Sequence, residues 1–375
     1  MIHKQKILIV DYGSQYTQLI ARRIRELKVY SEIVSCLHDF DKYDFDGVAG
    51  IILSGSPASV FQKDALKLEV GLLYKNVPVM GVCYGLQLMA MELGGKIGGS
   101  RKREYGRAIM TSYKSELFGN LPLKSQVWMS HGDHVEVLPP GFKRIGSTTS
   151  VKYAAIADED RKYYGVQFHP EVAHTEAGMQ ILKNFVHIIC KCKKTWSPES
   201  FIESSIEDIR KTVGKDGNVI CALSGGVDSS VVAVLLNKAI GKRAVSVFID
   251  NGLLRLNEAE QVKTAFKKFG LNLHFVDGAD LFLRRLKGIS NPEEKRRKIG
   301  RAFIEIFNKK ARKIRGAKFL AQGTLYPDLI ESVSFKGPSA TIKTHHNVGG
   351  LPKRMSLKLI EPLKELFKDE VRAVG

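Results

Sequence analysis

Three short stretches carry residue types at spacings suited to covalent or phosphate chemistry. The first is Gly81-Val82-Cys83-Tyr84-Gly85, a thiol with a glycine two residues away on either side. At a sharp strand-to-helix turn this spacing presents the nucleophile in a strained conformation, and the glycines make room for it. A thiol at a helix N-terminus is also favoured as thiolate. The second stretch is Phe168-His169-Pro170-Glu171-Val172. His169 can take the thiol proton and Glu171 can hold the imidazole, so Cys83, His169 and Glu171 form a nucleophile, base and orienter for acyl transfer. Acyl transfer passes through an oxyanion that needs N–H donors. The backbones of Gly55, in Ser54-Gly55-Ser56-Pro57, and of Tyr84 are the candidates.

The third stretch is Ser224-Gly225-Gly226-Val227-Asp228-Ser229-Ser230. Adjacent glycines let phosphate oxygens approach the backbone. A helix starting there adds N–H groups and a dipole, and the three serines add hydroxyls. Asp228 would repel phosphate unless a cation lies between, so it reads as a Mg²⁺ contact. The spacing and lysine of a Walker A loop are absent. Taken singly, these features have plainer readings: a buried thiol, a structural histidine, a serine-capped turn.

The elements that must position these residues can be traced in the apolar pattern. Residues 6–10, 48–53 and 77–82 are strand-length apolar runs, and Leu19, Ile20, Ile24 and Leu27 recur at helical spacing. Residues 86–93 return to helix, and 175–189 read as a closing helix. In the second half, 218–223, 244–249, 273–276 and 318–321 read as strands. Phe201, Ile202, Ile206, Ile209 and Val213 mark a helix, and Asn257 with Glu260 suggests a capping box for another. This alternation predicts two three-layer α/β domains with mainly parallel sheets. In such folds ligands bind beyond the carboxyl ends of strands, where loops 54–57, 81–85 and 224–230 fall. The polar, basic, proline-containing residues 193–198 read as a linker between domains over 1–192 and 199–375.

At 375 residues the chain has room for two cores, and its 44% hydrophobic and 26% charged fractions are ordinary for a globular protein. The net charge of +19 suits nucleic acid or anionic small substrates. The basic runs 295–298 and 309–313 are interleaved with Ile299, Phe303, Ile306 and Phe307 at helical spacing, so they read as a solvated helix face. Nucleic acid is therefore not an expected partner. Five scattered cysteines suit a reducing compartment, and Cys190-x-Cys192 lacks the second pair that a metal site needs. With no leader-like segment and no long apolar run, a cytoplasmic location without membrane partners is expected.

The motifs GVCYGLQ and FHPEV resemble the class I glutamine amidotransferases, which hydrolyse glutamine to glutamate and ammonia through a γ-glutamyl thioester. The resemblance implies Cys83, His169 and Glu171 as the triad and Gln87 as a holder of the substrate amide. It also implies Trp128-Met129-Ser130-His131-Gly132-Asp133 as a substrate-side segment. Ser56 stands where many members have a second glycine, with little effect expected because only the Gly55 backbone is asked to donate.

The loop Ser224 to Ser230 resembles that of the ATP-pyrophosphatases, with their adenine-nucleotide alpha-hydrolase-like fold. Residues 248–260, 291–296, 321–328, 342–352 and 361–364 narrow the resemblance to the GMP synthetases, where an amidotransferase half also comes first. The implied substrates are ATP, glutamine and xanthosine monophosphate (XMP), with Mg²⁺ accompanying ATP. The C2 oxygen of XMP attacks the α-phosphorus of ATP, pyrophosphate leaves, and ammonia then displaces AMP to give GMP. Asp250 is implied as a ribose or Mg²⁺ contact, or is a strand-end turn residue. Lys343 is a phosphate contact or a solvated loop lysine, and Arg301 an XMP contact or a surface residue. In that family a further C-terminal domain mediates homodimerisation and supplies much of the XMP site. It is expected to be missing here after Gly375.

Two other readings follow from the same residues. One puts the ATP loop to use in NAD synthesis or tRNA thiolation, although thiolation wants cysteines in the second half, where only Cys221 stands, within a strand. The other is an ammonia-supplying or nucleotide-sensing subunit whose XMP surface comes from a separate partner.

Overall fold

The computed structural model describes residues 4–333 and 357–375. The chain divides into two units, Met1–Ser197 and Pro198–Gly375. The first contains β1 (Lys6–Asp11), α1 (Thr17–Glu26), β2 (Tyr30–Ser35), β3 (Val48–Leu53), β4 (Val79–Val82) and α2 (Tyr84–Glu92). It continues with β5 (Lys96–Ser112), β6 (Lys124–Val137), β7 (Lys143–Ser147), β8 (Ala155–Asp158), β9 (Tyr163–Val166) and α3 (Gly178–Lys183), extended by a π-helical turn over Asn184–Ile189. Its sheet runs in the order β2-β1-β3-β4-β9-β8-β7-β5-β6.

The strands from β2 to β9 pair in parallel. Ile7, Leu8, Ile9 and Val10 are all fully buried. Such a continuous apolar run is what a parallel strand covered on both faces requires. Leu8 and Val10 pack with Leu86, Met89 and Ala90 of α2. Ile7 lies on the other face, where Gly50 leaves room for the Cys190 thiol.

From β9 to β6 the pairing is antiparallel. The first sheet is thus parallel over one half only. Ser125, Val127, Met129 and His131 are buried at period two along β6, the signature of a strand with one covered face. The segment 193–196, which reads as linker by composition, is fastened to this unit. The N–H groups of Thr195 and Trp196 both donate to the Lys28 carbonyl at 2.9 Å, and Trp196 is buried.

The second unit contains α4 (Pro198–Val213), β10 (Asn218–Leu223), α5 (Val227–Ile240), β11 (Ala244–Asp250), α6 (Glu258–Lys268) and β12 (Asn272–Asp277). It continues with α7 (Ala279–Leu286), α8 (Pro292–Ala311), β13 (Ala317–Ala321), α9 (Tyr326–Val333), β14 (Lys358–Ile360) and α10 (Lys368–Val374). Among the described residues its strand pairs are all parallel, in the order β12-β11-β10-β13-β14. Ile220, Val247, Ile249 and Leu320 face α7 and α8 through Phe282, Ala302 and Phe307. Leu223 and Phe248 face α5 and α6 through Ala233, Val262 and Phe266. Three layers result.

Succession along the sheet reverses at β10, with β11 on one side of it and β13 on the other. The crevice beyond such a strand is where open α/β sheets bind ligands, and residues 224–226 lie there. One local expectation fails. Asn257 sits at the N-cap of α6 with φ +60° and makes no side-chain cap, so there is no capping box with Glu260. The Glu258 carboxylate instead accepts the Arg255 N–H at 2.9 Å. Among the described residues no helix is long and apolar enough to cross a membrane.

Candidate active site

Cys83 follows β4 as the N-cap of α2, with φ +52° and ψ −105°, a positive φ that L-residues avoid. The flanking glycines are required by space. A Cβ on Gly81 would come within 2.6 Å of the Leu86 Cα, and one on Gly85 within 2.6 Å of the Leu53 Cβ. The turn is held by the Cys83 N–H donating to the Val166 carbonyl at 2.8 Å and the Gly85 N–H to that of Ser54 at 3.1 Å. The N–H groups of Gly55 and Tyr84 donate to no acceptor among the described residues.

His169 follows β9, the parallel neighbour of β4. Its Nδ1 lies 2.7 Å from Glu171 Oε1, and both residues are buried. Burial is the largest influence on the imidazole and pulls its pKa down. The Glu171 charge and hydrogen bonds to Cys83 and Glu171 together outweigh it, and His169 ends well above its ordinary value. The ring is steadied by the Tyr16 ring, edge-on at 5.1 Å, and the backbone by Thr175, whose hydroxyl donates to the His169 carbonyl at 2.6 Å. A Cβ on Gly55 would lie 3.3 Å from the His169 Cε1, so that backbone also borders the imidazole.

These groups open on a cavity of about 290 Å³ lined by residues that include Ser14, Tyr84, Gln87, His131, Asp133 and His169. Gln87 donates to the Asp133 carbonyl at 2.7 Å, which fixes the end of the 128–133 segment, and Ser59 donates to the Asp133 carboxylate at 2.6 Å. Burial holds the His131 imidazole below its usual range, although the Glu104 carboxylate lies 3.4 Å away. A neutral ring there adds no second cation beside His169.

Gln167 was not singled out by sequence, yet its Nε2 lies 3.6 Å from Cys83 Sγ in a fully buried position. Its place two residues before His169 was the only available signal.

In the second unit, Gly225 has φ +80° and Gly226 is the N-cap of α5. The Ser224 hydroxyl is shared with Ser229 at 3.0 Å, and the Ser229 and Ser230 hydroxyls donate to the Gly226 carbonyl at 3.0 and 2.8 Å. Both oxygens of Asp228 lie 2.6 Å from Lys368 Nζ, a contact invisible in the sequence.

Asp250 ends β11 and accepts the Gly252 N–H at 2.9 Å, as a strand-end turn residue does. Arg301 is exposed on α8 and makes no hydrogen bond or ion pair among the described residues. Lys343 lies outside the described residues. Among those residues no cluster of three or more His, Cys, Asp or Glu side chains is arranged to hold a metal.

The family model Glutamine amidotransferase class-I matches residues 8–189, and the model NAD synthase matches 200–317. The chain is 55% identical over 374 residues to the glutamine-hydrolyzing GMP synthase of Nitratidesulfovibrio vulgaris (strain DP4), covering 99% of this chain and 72% of that one. It is 54% identical over 379 residues to the same-named enzyme of Maridesulfovibrio salexigens, covering 100% of this chain and 73% of that one. Among solved structures, a putative GMP synthase subunit from Thermoplasma acidophilum is 31% identical, with a TM-score of 0.45, over 50% of this chain and 95% of that one.

Proposed function

This chain belongs to the family of glutamine-hydrolysing GMP synthases, and we propose that it makes GMP from XMP, with glutamine as nitrogen donor and ATP converted to AMP and pyrophosphate. The observation that carries the reading is the elbow thiol bordered by the His169–Glu171 pair at 2.7 Å, on the same chain as a glycine-serine loop at the switch point of a parallel sheet.

In the first unit the Cys83 thiolate attacks the γ-carbonyl carbon of glutamine. The N–H groups of Gly55 and Tyr84 receive the oxyanion. The His169 imidazolium protonates the departing amine and ammonia leaves a γ-glutamyl thioester. Neutral His169 then takes a proton from water as it attacks the thioester, and glutamate leaves with the thiolate restored. Gln87 holds the 128–133 wall of the cavity in place against the substrate.

In the second unit the backbone of Gly225 and Gly226, the N-terminus of α5 and the hydroxyls of Ser224, Ser229 and Ser230 hold the pyrophosphate portion of ATP. The residues fit Mg²⁺: the Asp228 carboxylate already faces a cation through both oxygens, and the donors around it are oxygens suited to a hard ion. Asp228 would hold the Mg²⁺ that accompanies ATP, and the ion would supply charge neutralisation there. Asp250 and Arg301 remain candidates for ribose and XMP contacts. Thiolation chemistry is disfavoured by Cys221, whose burial pushes the thiol up to about 12. The free thiols Cys36, Cys83, Cys190, Cys192 and Cys221 accord with a cytoplasmic setting.

The test supplies the purified chain with ATP, Mg²⁺ and XMP, with glutamine or ammonium as nitrogen source, and follows AMP and GMP. Both products are expected with either source. Glutamate release without XMP-dependent AMP would overturn the synthase reading for this polypeptide alone and favour a subunit whose XMP surface comes from a separate partner.

A further inference from the structure

Beside the Cys83 thiol lies a buried amide that the steps above leave unused. Gln167 is fully buried, and its Nε2 lies 3.6 Å from Cys83 Sγ. Its backbone is tied to the elbow it faces. The Val166 carbonyl, which belongs to the same peptide unit as the Gln167 N–H, accepts the Cys83 N–H at 2.8 Å. The Gln167 N–H donates to the Ala154 carbonyl at 2.8 Å.

The neighbours decide which end of the amide meets the sulfur. The Asp133 carbonyl can only accept, so the Gln87 group that lies 2.7 Å from it is the NH₂. That NH₂ also lies 3.4 Å from Gln167 Oε1. Gln167 therefore accepts through its oxygen and turns its own NH₂ to Cys83.

Packing does not account for this arrangement. A buried amide N–H costs free energy unless a good acceptor offsets it, and a neutral thiol is a weak acceptor. A thiolate is a strong one, because a hydrogen bond to it is charge-assisted. The neutral thiol has a different partner: its S–H donates to the Ser130 carbonyl at 3.5 Å. That carbonyl offers nothing to the anion. Once the thiol proton passes to His169, the sulfur needs donors, and the imidazolium and the Gln167 NH₂ both reach it.

We propose that Gln167 is a catalytic residue of the glutamine-hydrolysing site: its amide N–H donates to Cys83 Sγ and stabilises the thiolate, both before attack on glutamine and when the sulfur leaves the thioester. The amide keeps its own protons throughout, and Gln87 orients it through Oε1. The inference rests on the reading of Cys83 as the glutaminase nucleophile.

Alkylation of the full chain by iodoacetamide across a pH series, followed at the Cys83 peptide by mass spectrometry, tests it. Gln167→Met fills similar space without a donor. Gln167→Glu keeps the shape but puts an acceptor where the donor was. Gln167→Met should move the alkylation midpoint of Cys83 to higher pH by about one unit, as loss of a hydrogen bond to the charged form does, and Gln167→Glu by more. Glutamate release near neutral pH should fall by about tenfold or more, mainly in kcat, as the thiolate fraction falls. Gln167 carries no charge, and the titratable groups that share the cavity with Cys83 are left in place: Tyr16, Tyr84, Tyr105, His131, Asp133 and His169. A shifted midpoint in the Met variant thus reads the lost donor. Alkylation profiles that superimpose on wild type in both variants would overturn the proposal. So would a fall in glutamate release that follows a fall in melting temperature with the midpoint unmoved. A wild-type chain that releases no glutamate from glutamine would overturn the glutaminase reading itself, and the alkylation profile does not depend on that result.

Discussion

Glu171 Oε1 lies 2.7 Å from His169 Nδ1, and the two residues are only 1% and 3% exposed. A histidine so buried would ordinarily lose its charge, because desolvation disfavours the imidazolium. Here the carboxylate reverses that outcome and the imidazole is held well above its usual pKa. The second carboxylate oxygen, Oε2, is buried without a hydrogen-bond partner among the described residues. The carboxylate's charge is therefore directed largely at His169.

Glu171→Gln should return His169 toward the low pKa that burial alone imposes, as read by ¹⁵N-histidine titration. Glutamate release should fall by about 10²-fold or more, the range of a misassigned acid–base group. Stability carries a second signature. The raised pKa means that, between the unfolded value of about 6.5 and the folded one, the native state binds more protons than the unfolded state. This contribution is fully present below about pH 6.5 and is lost as pH rises through the folded pKa. The variant should flatten that slope in urea unfolding across the window.

Cys83→Ala should abolish glutamate release, by about 10⁴-fold or more as for the loss of other catalytic nucleophiles. AMP formation supported by ammonium should persist, and loss of both activities would count against two separable sites. Position 83 also stores strain. Because Cys83 has φ +52°, Cys83→Gly should be more stable than Cys83→Ala by about 1 kcal/mol, the penalty of a left-handed L-residue.

Much of the site was legible because its parts are local. The elbow glycines, the HPE pair and the strand that precedes Ser224 each occupy a few consecutive residues, and short-range sterics decide their geometry. What was missed is non-local or periodic. The Lys368–Asp228 contact joins residues that only the folded sheet brings together. Gln167 reaches Cys83 from a neighbouring strand. The long β5–β6 pair is masked because polar residues of 128–133 fall within β6 and break up the apolar alternation of Val127, Met129 and Val135. Asn257 and Glu260 had the residue types of a capping box, but the left-handed backbone at Asn257 turns the side chain away from that bond.

The pyrophosphate loop depends on a conformation rather than on a side chain at Gly225, which has φ +80°. Gly225→Val should weaken Mg²⁺-pyrophosphate binding by about tenfold or more, because a β-branched residue cannot hold that conformation without strain. Its Cβ would otherwise meet only ordinary contacts, the nearest being Val262 Cγ2 at 3.5 Å. Glutamate release in the absence of nucleotide reports folding of the first unit and should persist, so its loss would point to general misfolding.

Two glycine-to-alanine changes should act in opposite directions. Gly300 lies inside α8, with ordinary helical backbone and nothing within 4 Å of a built Cβ. Gly300→Ala should therefore stabilise by about 1 kcal/mol, since alanine restricts the unfolded chain and favours helix. Gly85 is also in a helix, but its Cβ would be driven onto the Leu53 carbonyl. Gly85→Ala should destabilise by about 3 kcal/mol, the upper range for overpacking, and should displace the elbow that carries Cys83. Both tryptophans, Trp128 and Trp196, belong to the first unit. Urea unfolding followed by tryptophan fluorescence should thus register Gly85→Ala, while the gain from Gly300→Ala should appear in the helical circular dichroism. A Gly300→Ala variant that unfolds earlier than wild type would mean that α8 meets something at that position which the packing does not show.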